Sequence, residues 1–421
     1  MRKLLCFVMA AIMFVACGKD DFGLNSQPEP QNPYAVTPEE AVQMLQSVIG
    51  GETTRSISVS DIQTLNKSAF VPSTRSGADE EAIYIVDIEG KGSAIVSADK
   101  RMEPIYAILD DTKISAEQLV GVTTRSATDD ESNPEDYILG LLNSAIQRDI
   151  EEAEQRGIEM PLIPRDQIWF ETTDIAYQPQ MMNTAWHQDD PFNRRYGYVS
   201  GTTQRYKAGC GPVALAQILY CNRYPNSING VIFDWDLLAQ YEEDYMNASY
   251  AATNEIANFV YQIKLRANAM PTGNGPAMGL YPAEAAAFMR NTGYPDATLV
   301  NYSISNVIDM VYNKHLPVYV AGEHIASNGT RTGHAWVIDG CNVYRVDEWC
   351  RHYLDSSIFT ETIVNTQTYN LVHCNFGWGR SADPTEKWIG FYTSAIFNPI
   401  VDSIQYNYSS NLQMVTYSLN N

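Results

Sequence analysis

One cysteine at the start of an apolar helical segment constrains this chain more than any other feature. Residues 207–220 read KAGCGPVALAQILY. Pro212 suits the first turn of a helix, where a missing N–H is no loss. Cys210 is therefore predicted at a helix N-terminus, where unpaired N–H groups and the helix dipole lower the pKa of a thiol. The alternative is a buried structural cysteine, a common fate of free cysteines.

Three further motifs contain potential partners for this cysteine. Residues 332–340 read TGHAWVIDG, an apolar strand pattern with His334 at its start. Residues 373–379 read HCNFGWG, a short strand that ends in a glycine-rich turn, and residues 186–193 read WHQDDPFN. Catalytic cysteines and their partners are typically distant in sequence and adjacent in the fold. The spacing therefore favours a catalytic cysteine over a structural one.

In their order, the four motifs resemble those of the streptopain family of papain-like cysteine proteases. The resemblance implies an α+β fold in which a papain-like two-lobed catalytic domain is preceded by a small α+β inhibitory pro-domain. It implies a cysteine endopeptidase that is made as a zymogen and hydrolyses peptide bonds. The partners implied are protein or peptide substrates and the chain's own pro-region as an intramolecular inhibitor.

The resemblance assigns a role to each motif residue. Cys210 is the nucleophile, and His334 is the base that takes its proton and later the acid that protonates the leaving amine. Gln188 and the N–H of Cys210 donate to the developing oxyanion, a contribution typically worth ~3 kcal/mol. Asn375 orients His334. The alternatives are a structural histidine and a surface glutamine in a polar loop.

Aromatic and apolar residues complete the predicted site. Phe376 stands where the family mostly has Trp, so it can shield the histidine ring but offers no indole N–H. Trp378 is predicted to shield by packing. The glycine-rich loop 273–280 aligns with the family's substrate-contacting loop, although it could instead simply close the lobe. The predicted substrate-binding residues are Gly333, Met278 and Leu280.

The N-terminus predicts export. Residues 1–16 have a basic start and an apolar run too short for a membrane span, which indicates a lipoprotein signal peptide with lipidation at Cys17. An ordinary cleaved secretion signal is the alternative. Residues 17–33 are predicted to be a flexible tether. We therefore expect a bacterial cell-envelope protein, lipid-anchored at the outer membrane or cell surface, whose mature domain is either retained or released.

Two units are predicted after the tether. Residues 34–165 form the pro-region and residues 166–421 the peptidase domain. Within the pro-region, residues 82–88 and 92–97 predict a β-hairpin, and residues 136–156 predict an amphipathic helix. This pattern resembles the inhibitory pro-region of streptopain-like zymogens. An independent accessory domain is the alternative.

Three polar loops of the pro-region carry Arg55, Arg75 and Arg125, each followed by Ser and preceded by Thr. Exposed loop tips are preferred sites of proteolysis. The loops could therefore be cut by an activating Arg-specific protease, or they could be ordinary loops.

The net charge and the spacing of the cysteines and histidines limit the possible partners and cofactors. A net charge of −22 argues against nucleic acid as a partner, because phosphate binding needs clustered Lys and Arg. No cofactor is predicted. A zinc site is the alternative use of the thiols and histidines, but CxxC or HxxxH spacing is lacking. In an exported protein the four downstream cysteines could form two disulfides, or they could be free buried thiols. They are Cys221, Cys341, Cys350 and Cys374.

Two functional classes remain at this point. One is a secreted or surface-anchored cysteine endopeptidase, with the membrane contacted only through the lipid anchor. The other is a surface lipoprotein that uses the same fold to bind proteins without turnover. The intact set of catalytic residue types favours the enzyme.

The loop 273–280 predicts apolar substrate specificity. Papain-like enzymes select mainly by the side chain one position before the scissile residue. An apolar wall at Met278 and Leu280 favours Ile, Val, Leu or aromatic residues there, by about 1–3 kcal/mol, while a charged side chain would lose its hydration. A fluorogenic peptide library scanned at that position tests this. Preference for Lys, Asp or Glu over Ile and Val would contradict it.

Overall fold

Eleven strands of the described residues form a single sheet that passes through both predicted units, and the strand pairs along it are antiparallel. The computed structural model describes residues 34–49, 57–71, 80–121, 134–159, 167–242, 248–273, 275–325, 331–353, 358–379, 388–397 and 410–419. The predicted signal peptide, tether, Cys17 and three arginine loops lie outside these residues and stay predictions. None of the described helices is long and apolar enough to cross a membrane.

The helices and strands have the following bounds. The helices are α1 (Pro38–Ile49), α2 (Ala116–Gly121), α3 (Pro134–Glu159), α4 (Cys210–Asn222), α5 (Trp235–Ala239), α6 (Tyr250–Ala267), α7 (Pro282–Arg290) and α8 (Ile304–Ile308). The strands are β1 (Val59–Asn66), β2 (Glu81–Ile88), β3 (Ser93–Ser97), β4 (Ile105–Leu109), β5 (Gln167–Gln178), β6 (Ser227–Ile228), β7 (Val231–Ile232), β8 (Met270–Pro271), β9 (Met278–Gly279), β10 (Thr298–Asn301), β11 (Val318–Ile325), β12 (Arg331–Tyr353), β13 (Phe359–Asn375), β14 (Gly390–Thr393) and β15 (Ser410–Thr416).

The described residues of the predicted pro-region form four strands and three α-helices. The predicted hairpin is β2–β3, in which Ile83 pairs with Ser97 and Asp87 with Ser93. Helix α1 is opened by a reciprocal cap: Glu40 N donates to Thr37 Oγ1 at 3.2 Å, and Thr37 N donates to Glu40 Oε2 at 2.8 Å. Such a capping box satisfies two backbone donors that a helix start leaves unpaired. The predicted helix 136–156 lies within α3.

The sheet continues from the pro-region into the downstream part of the chain. Its order is β1-β2-β3-β4-β14-β13-β12-β11-β15-β10, with β5 also paired to β12. At the junction, Leu109 and Ile108 of β4 pair with Gly390 and Phe391 of β14. One buried apolar cluster includes side chains from both parts. The described residues from 34 to 419 therefore form one compact unit, and the boundary at 165/166 stays a prediction.

Helix α4 runs through the core beneath this sheet. Every residue from Gly211 to Tyr220 is buried. A helix that is apolar all round is typical of a protein interior. Because its start is fixed by packing on all sides, the residue at that start has a defined position. All five cysteines of the described residues are free thiols, so of the two alternatives for the four downstream cysteines the structure has the free thiols.

The β4–β14 junction yields a stability prediction. A Cβ on Gly390 would lie 2.4 Å from Ile108 O, a backbone atom that cannot rotate away. We expect Gly390→Ala to lower the free energy of unfolding of the full-length chain by about 1–3 kcal/mol, as overpacking typically does. Urea denaturation measures the loss. In the control Gly197→Ala, nothing lies within 4 Å of the added Cβ, and the change should stay within about 0.5 kcal/mol. Equal losses in the two variants would contradict the strand register.

Candidate active site

Cys210 is the first residue of α4, as the sequence predicts. Gly209 precedes it with a φ of 89°, in the region that favours glycine, and a Cβ there would lie 2.7 Å from Met278 O. The approach to the helix is held by Ala208 N, which donates to Gln188 O at 2.7 Å. Cys210 Sγ therefore lies in the first turn of a buried helix, beside N–H groups that have no partner within the helix.

His334 lies on β12, and its ring nitrogen Nε2 is 2.9 Å from the carbonyl oxygen of Phe376. A carbonyl oxygen only accepts, so this hydrogen bond places a proton on Nε2. In the neutral ring Nδ1 then carries the lone pair. His334 can therefore accept a proton at Nδ1, the property required of a general base.

An aromatic wall surrounds the His334 ring. The ring of Trp378 stacks on it with centroids 4.7 Å apart and an interplanar angle of 25°. Phe376 stacks on Trp378 at 5.0 Å, and Trp336 lies 6.2 Å from His334. Burial lowers the pKa of His334 to about 4 despite the hydrogen bond to Phe376. The ring is thus neutral in this conformation, whereas a His334 that had taken the proton of Cys210 would be an imidazolium.

Asn375 is buried one residue before the carbonyl that binds His334. Its Nδ2 donates to Thr184 O at 2.7 Å and to Thr184 Oγ1 at 3.3 Å, and its Oδ1 accepts from Gly377 N at 3.1 Å. These hydrogen bonds use both the nitrogen and the oxygen of the amide. Asn375 fixes the turn, and the turn presents Phe376 O to the imidazole.

Thr184 and Gln217 support that turn, and the sequence motifs did not identify either of them. Thr184 Oγ1 donates to Gln217 Oε1 at 2.6 Å. Gln217 is fully buried on α4, seven residues after Cys210 and hence on the same helix face. A buried amide in an otherwise apolar helix was the available signal. Gly377 completes the contact, because a Cβ there would lie 3.1 Å from Val213 Cγ1.

Gln188 lies in a loop that contacts both Ala208, just before the start of α4, and Gly379, in the turn after β13. Its carbonyl holds Ala208, as described above, and its neighbour His187 packs against Gly379, where an added Cβ would lie 2.7 Å from His187 Cβ. In the part of the chain that the structure describes, the side-chain amide of Gln188 makes no hydrogen bond. It is available to donate to a bound group.

The predicted substrate loop lies directly against the nucleophile. A Cβ on Gly211 would be 2.8 Å from Leu280 Cβ, and one on Gly209 would be 3.1 Å from Met278 Cβ. Leu280 and Met278 therefore flank Cys210. Gly333 is exposed on β12 next to His334 and pairs with Glu323 of β11.

Among the described residues, no group of three His, Cys, Asp or Glu side chains could hold a metal ion.

Comparisons with known proteins give one family match and two similar solved structures. The model of the peptidase C10 family matches residues 186–384. Among solved structures, a prointerpain A fragment of Prevotella intermedia with a cysteine-to-alanine substitution is 16% identical, with a TM-score of 0.49; the alignment covers 85% of this chain and 98% of that chain. Active wild-type interpain A, a cysteine protease of the same organism, is 22% identical, with a TM-score of 0.42 and coverages of 57% and 95%. No curated protein sequence matches the chain.

The neutral His334 ring predicts a loss of stability in acid. Its pKa falls from an ordinary value of 6.5 to about 4, so between these values the unfolded chain binds more protons than the folded one. The stability that the neutral ring contributes is complete above pH 6.5 and is lost as pH falls toward 4, by about 3 kcal/mol in total. Urea unfolding at several pH values should show a weaker acid dependence for His334→Gln. Identical dependences would contradict the burial of a neutral ring.

Proposed function

We propose that the chain is the zymogen of a cysteine endopeptidase of the peptidase C10 (streptopain) family, whose model matches residues 186–384, with Cys210 and His334 as its catalytic pair. The observation that carries the assignment of residues is the hydrogen bond from His334 Nε2–H to Phe376 O. It leaves Nδ1 as the proton acceptor. The turn that makes the bond packs on Val213, one helical turn from Cys210.

The proposed reaction follows from these positions. Cys210 Sγ loses its proton to His334 Nδ1 and attacks the substrate carbonyl carbon. The negative charge that develops on the carbonyl oxygen is stabilised by the Cys210 N–H and the Gln188 amide. His334 then returns the proton to the leaving amine, and water hydrolyses the thioester. Leu280 and Met278 supply an apolar wall beside the nucleophile, which supports preference for an apolar residue next to the scissile one.

Latency is the proposed role of the pro-region. Its Glu103 Oε1 accepts from Thr393 Oγ1 at 2.7 Å, and Arg148 Nη1 donates to Ala395 O at 3.4 Å. The segment that it holds leads to Phe397, whose ring stacks on Trp336 at 5.4 Å. Trp336 belongs to the aromatic wall of His334. These contacts support a pro-region that fixes the histidine in its neutral, buried state until the pro-region is removed.

We also propose how the enzyme is made and where it acts. Cys17 is lipidated after removal of residues 1–16, which anchors the chain at the outer membrane or cell surface. An Arg-specific protease activates it by cutting at Arg55, Arg75 or Arg125. The substrates are proteins or peptides, and the mature domain is retained or released according to the position of the cut. These proposals rest on the sequence motifs.

The test of the catalytic assignment is the substitution Cys210→Ala. We expect it to abolish casein hydrolysis while the full-length chain stays folded, because the thioester of the proposed reaction forms on Cys210 Sγ. In the wild-type chain, a thiol-reactive epoxide should label Cys210 after removal of the pro-region. The matched control Cys221→Ala, a thiol on the same helix, should retain activity. Comparable casein cleavage by Cys210→Ala would exclude Cys210 as the nucleophile, and a folded wild-type chain without turnover would indicate a binding protein.

A further inference from the structure

A second buried histidine lies outside the proposed chemistry, at the junction of the pro-region and β14. His373 is on β13, and 1% of its side-chain surface is exposed. Its Nδ1 is 2.6 Å from Asp339 Oδ1 on β12, and its Nε2 is 3.0 Å from Asp110 Oδ2 in the pro-region. One imidazole therefore joins two carboxylates that belong to different predicted units.

The two carboxylates have different surroundings. Asp339 is fully buried, and its Oδ2 also accepts from Met181 N at 3.1 Å and Met182 N at 2.9 Å. It is thus fixed within the peptidase part. Asp110 is a quarter exposed, and its N–H donates to Ile389 O at 3.0 Å, directly after the β4–β14 pairs. Asp110 therefore extends the strand junction with a side-chain contact.

The contacts imply that His373 is an imidazolium. A ring that is hydrogen-bonded to a carboxylate at each nitrogen needs a proton on each nitrogen, because a carboxylate only accepts. Burial acts to lower the pKa of His373, but the charge of Asp339 and the hydrogen bonds to both carboxylates raise it to about 10. Cys374 and Cys221 interact with Asp339, and Tyr392 interacts with Asp110. Burial, together with these carboxylates, raises the pKa of all three groups, so they are uncharged near neutral pH.

We propose that the β14 edge and His373 together form a charge-dependent docking site for an extended strand that ends in a carboxylate, and that Asp110 is the residue by which the pro-region occupies it. The β14 backbone supplies pairing that any strand could use. His373 supplies the selectivity, because a buried cation accepts an anionic partner and is costly to leave without one. The inference rests on the proposed zymogen, since it treats the pro-region as a removable occupant.

Hydrogen exchange of the full-length chain tests the docking site without requiring turnover. In a Cys210→Ala background at pH 7, Asp110→Asn should raise amide exchange in Ile105–Leu109 and Gly390–Thr393 at least about tenfold, while exchange in α6 stays unchanged. The matched control is Glu89→Gln, an exposed carboxylate of the same pro-region. It should change exchange less than about twofold. Equal effects of the two substitutions, or an equal rise in α6, would overturn the proposal.

Two further measurements identify His373 as the partner. Asp110→Asn should have no additional effect in a His373→Gln background. If His373→Gln fails to fold, the pH dependence of stability tests the same point. The stability that comes from the raised pKa of His373 is complete below pH 6.5 and is lost as pH rises through about 10. The difference in urea midpoint between Asp110→Asn and its parent should therefore shrink between pH 8 and about 10.5, and a constant difference would refute the role of His373. Absence of peptidase activity in the wild-type chain would overturn the proposed function and leave these results intact.

Discussion

The hydrogen bond between His334 and the Phe376 carbonyl is the interaction on which the site depends. It determines which ring nitrogen holds a proton, and it exists only because the turn after β13 packs on α4. That packing needs Gly377, where a side chain would meet Val213, and it needs the amide of Asn375 to close the turn. The helix that begins at Cys210 and the carbonyl that binds His334 are therefore positioned by one contact surface, so a disturbance of either changes both.

The sheet that the two predicted units share links the stability of the fold to the proposed latency. The pro-region adds β4 to β14, and its apolar side chains belong to the buried cluster that also contains α4. A pro-region attached through a sheet and a core contributes to the folding free energy of the whole unit. Its removal, which we propose for activation, would leave the β14 edge without its β4 partner, and the aromatic wall behind His334 adjoins that region through Phe397 and Trp336.

Local signals in the sequence predicted local structure well. Pro212 and the apolar run after it placed Cys210 at the start of α4, and alternation placed the β2–β3 hairpin correctly. Such local patterns could not predict contacts between segments that are distant in the sequence. The partner of Asn375 is Thr184, which no motif marks, and the β4–β14 junction depends on backbone pairing that any two strands could make. The sequence shows Gln217 as an amide within an apolar helical run, but it does not show that Thr184 is its partner.

The place of β14 in the chain has a consequence for the order of folding. Asp110 and His373 are 263 residues apart, and β14 is made later still. Contacts of such long range require a large loop to close before they stabilise anything, which slows folding. During synthesis the segment that carries β4 emerges first. In the proposed zymogen, β14 therefore pairs with a strand that was made before it, so the segment that is removed on activation is also the one that shortens the search by which the retained part finds its topology.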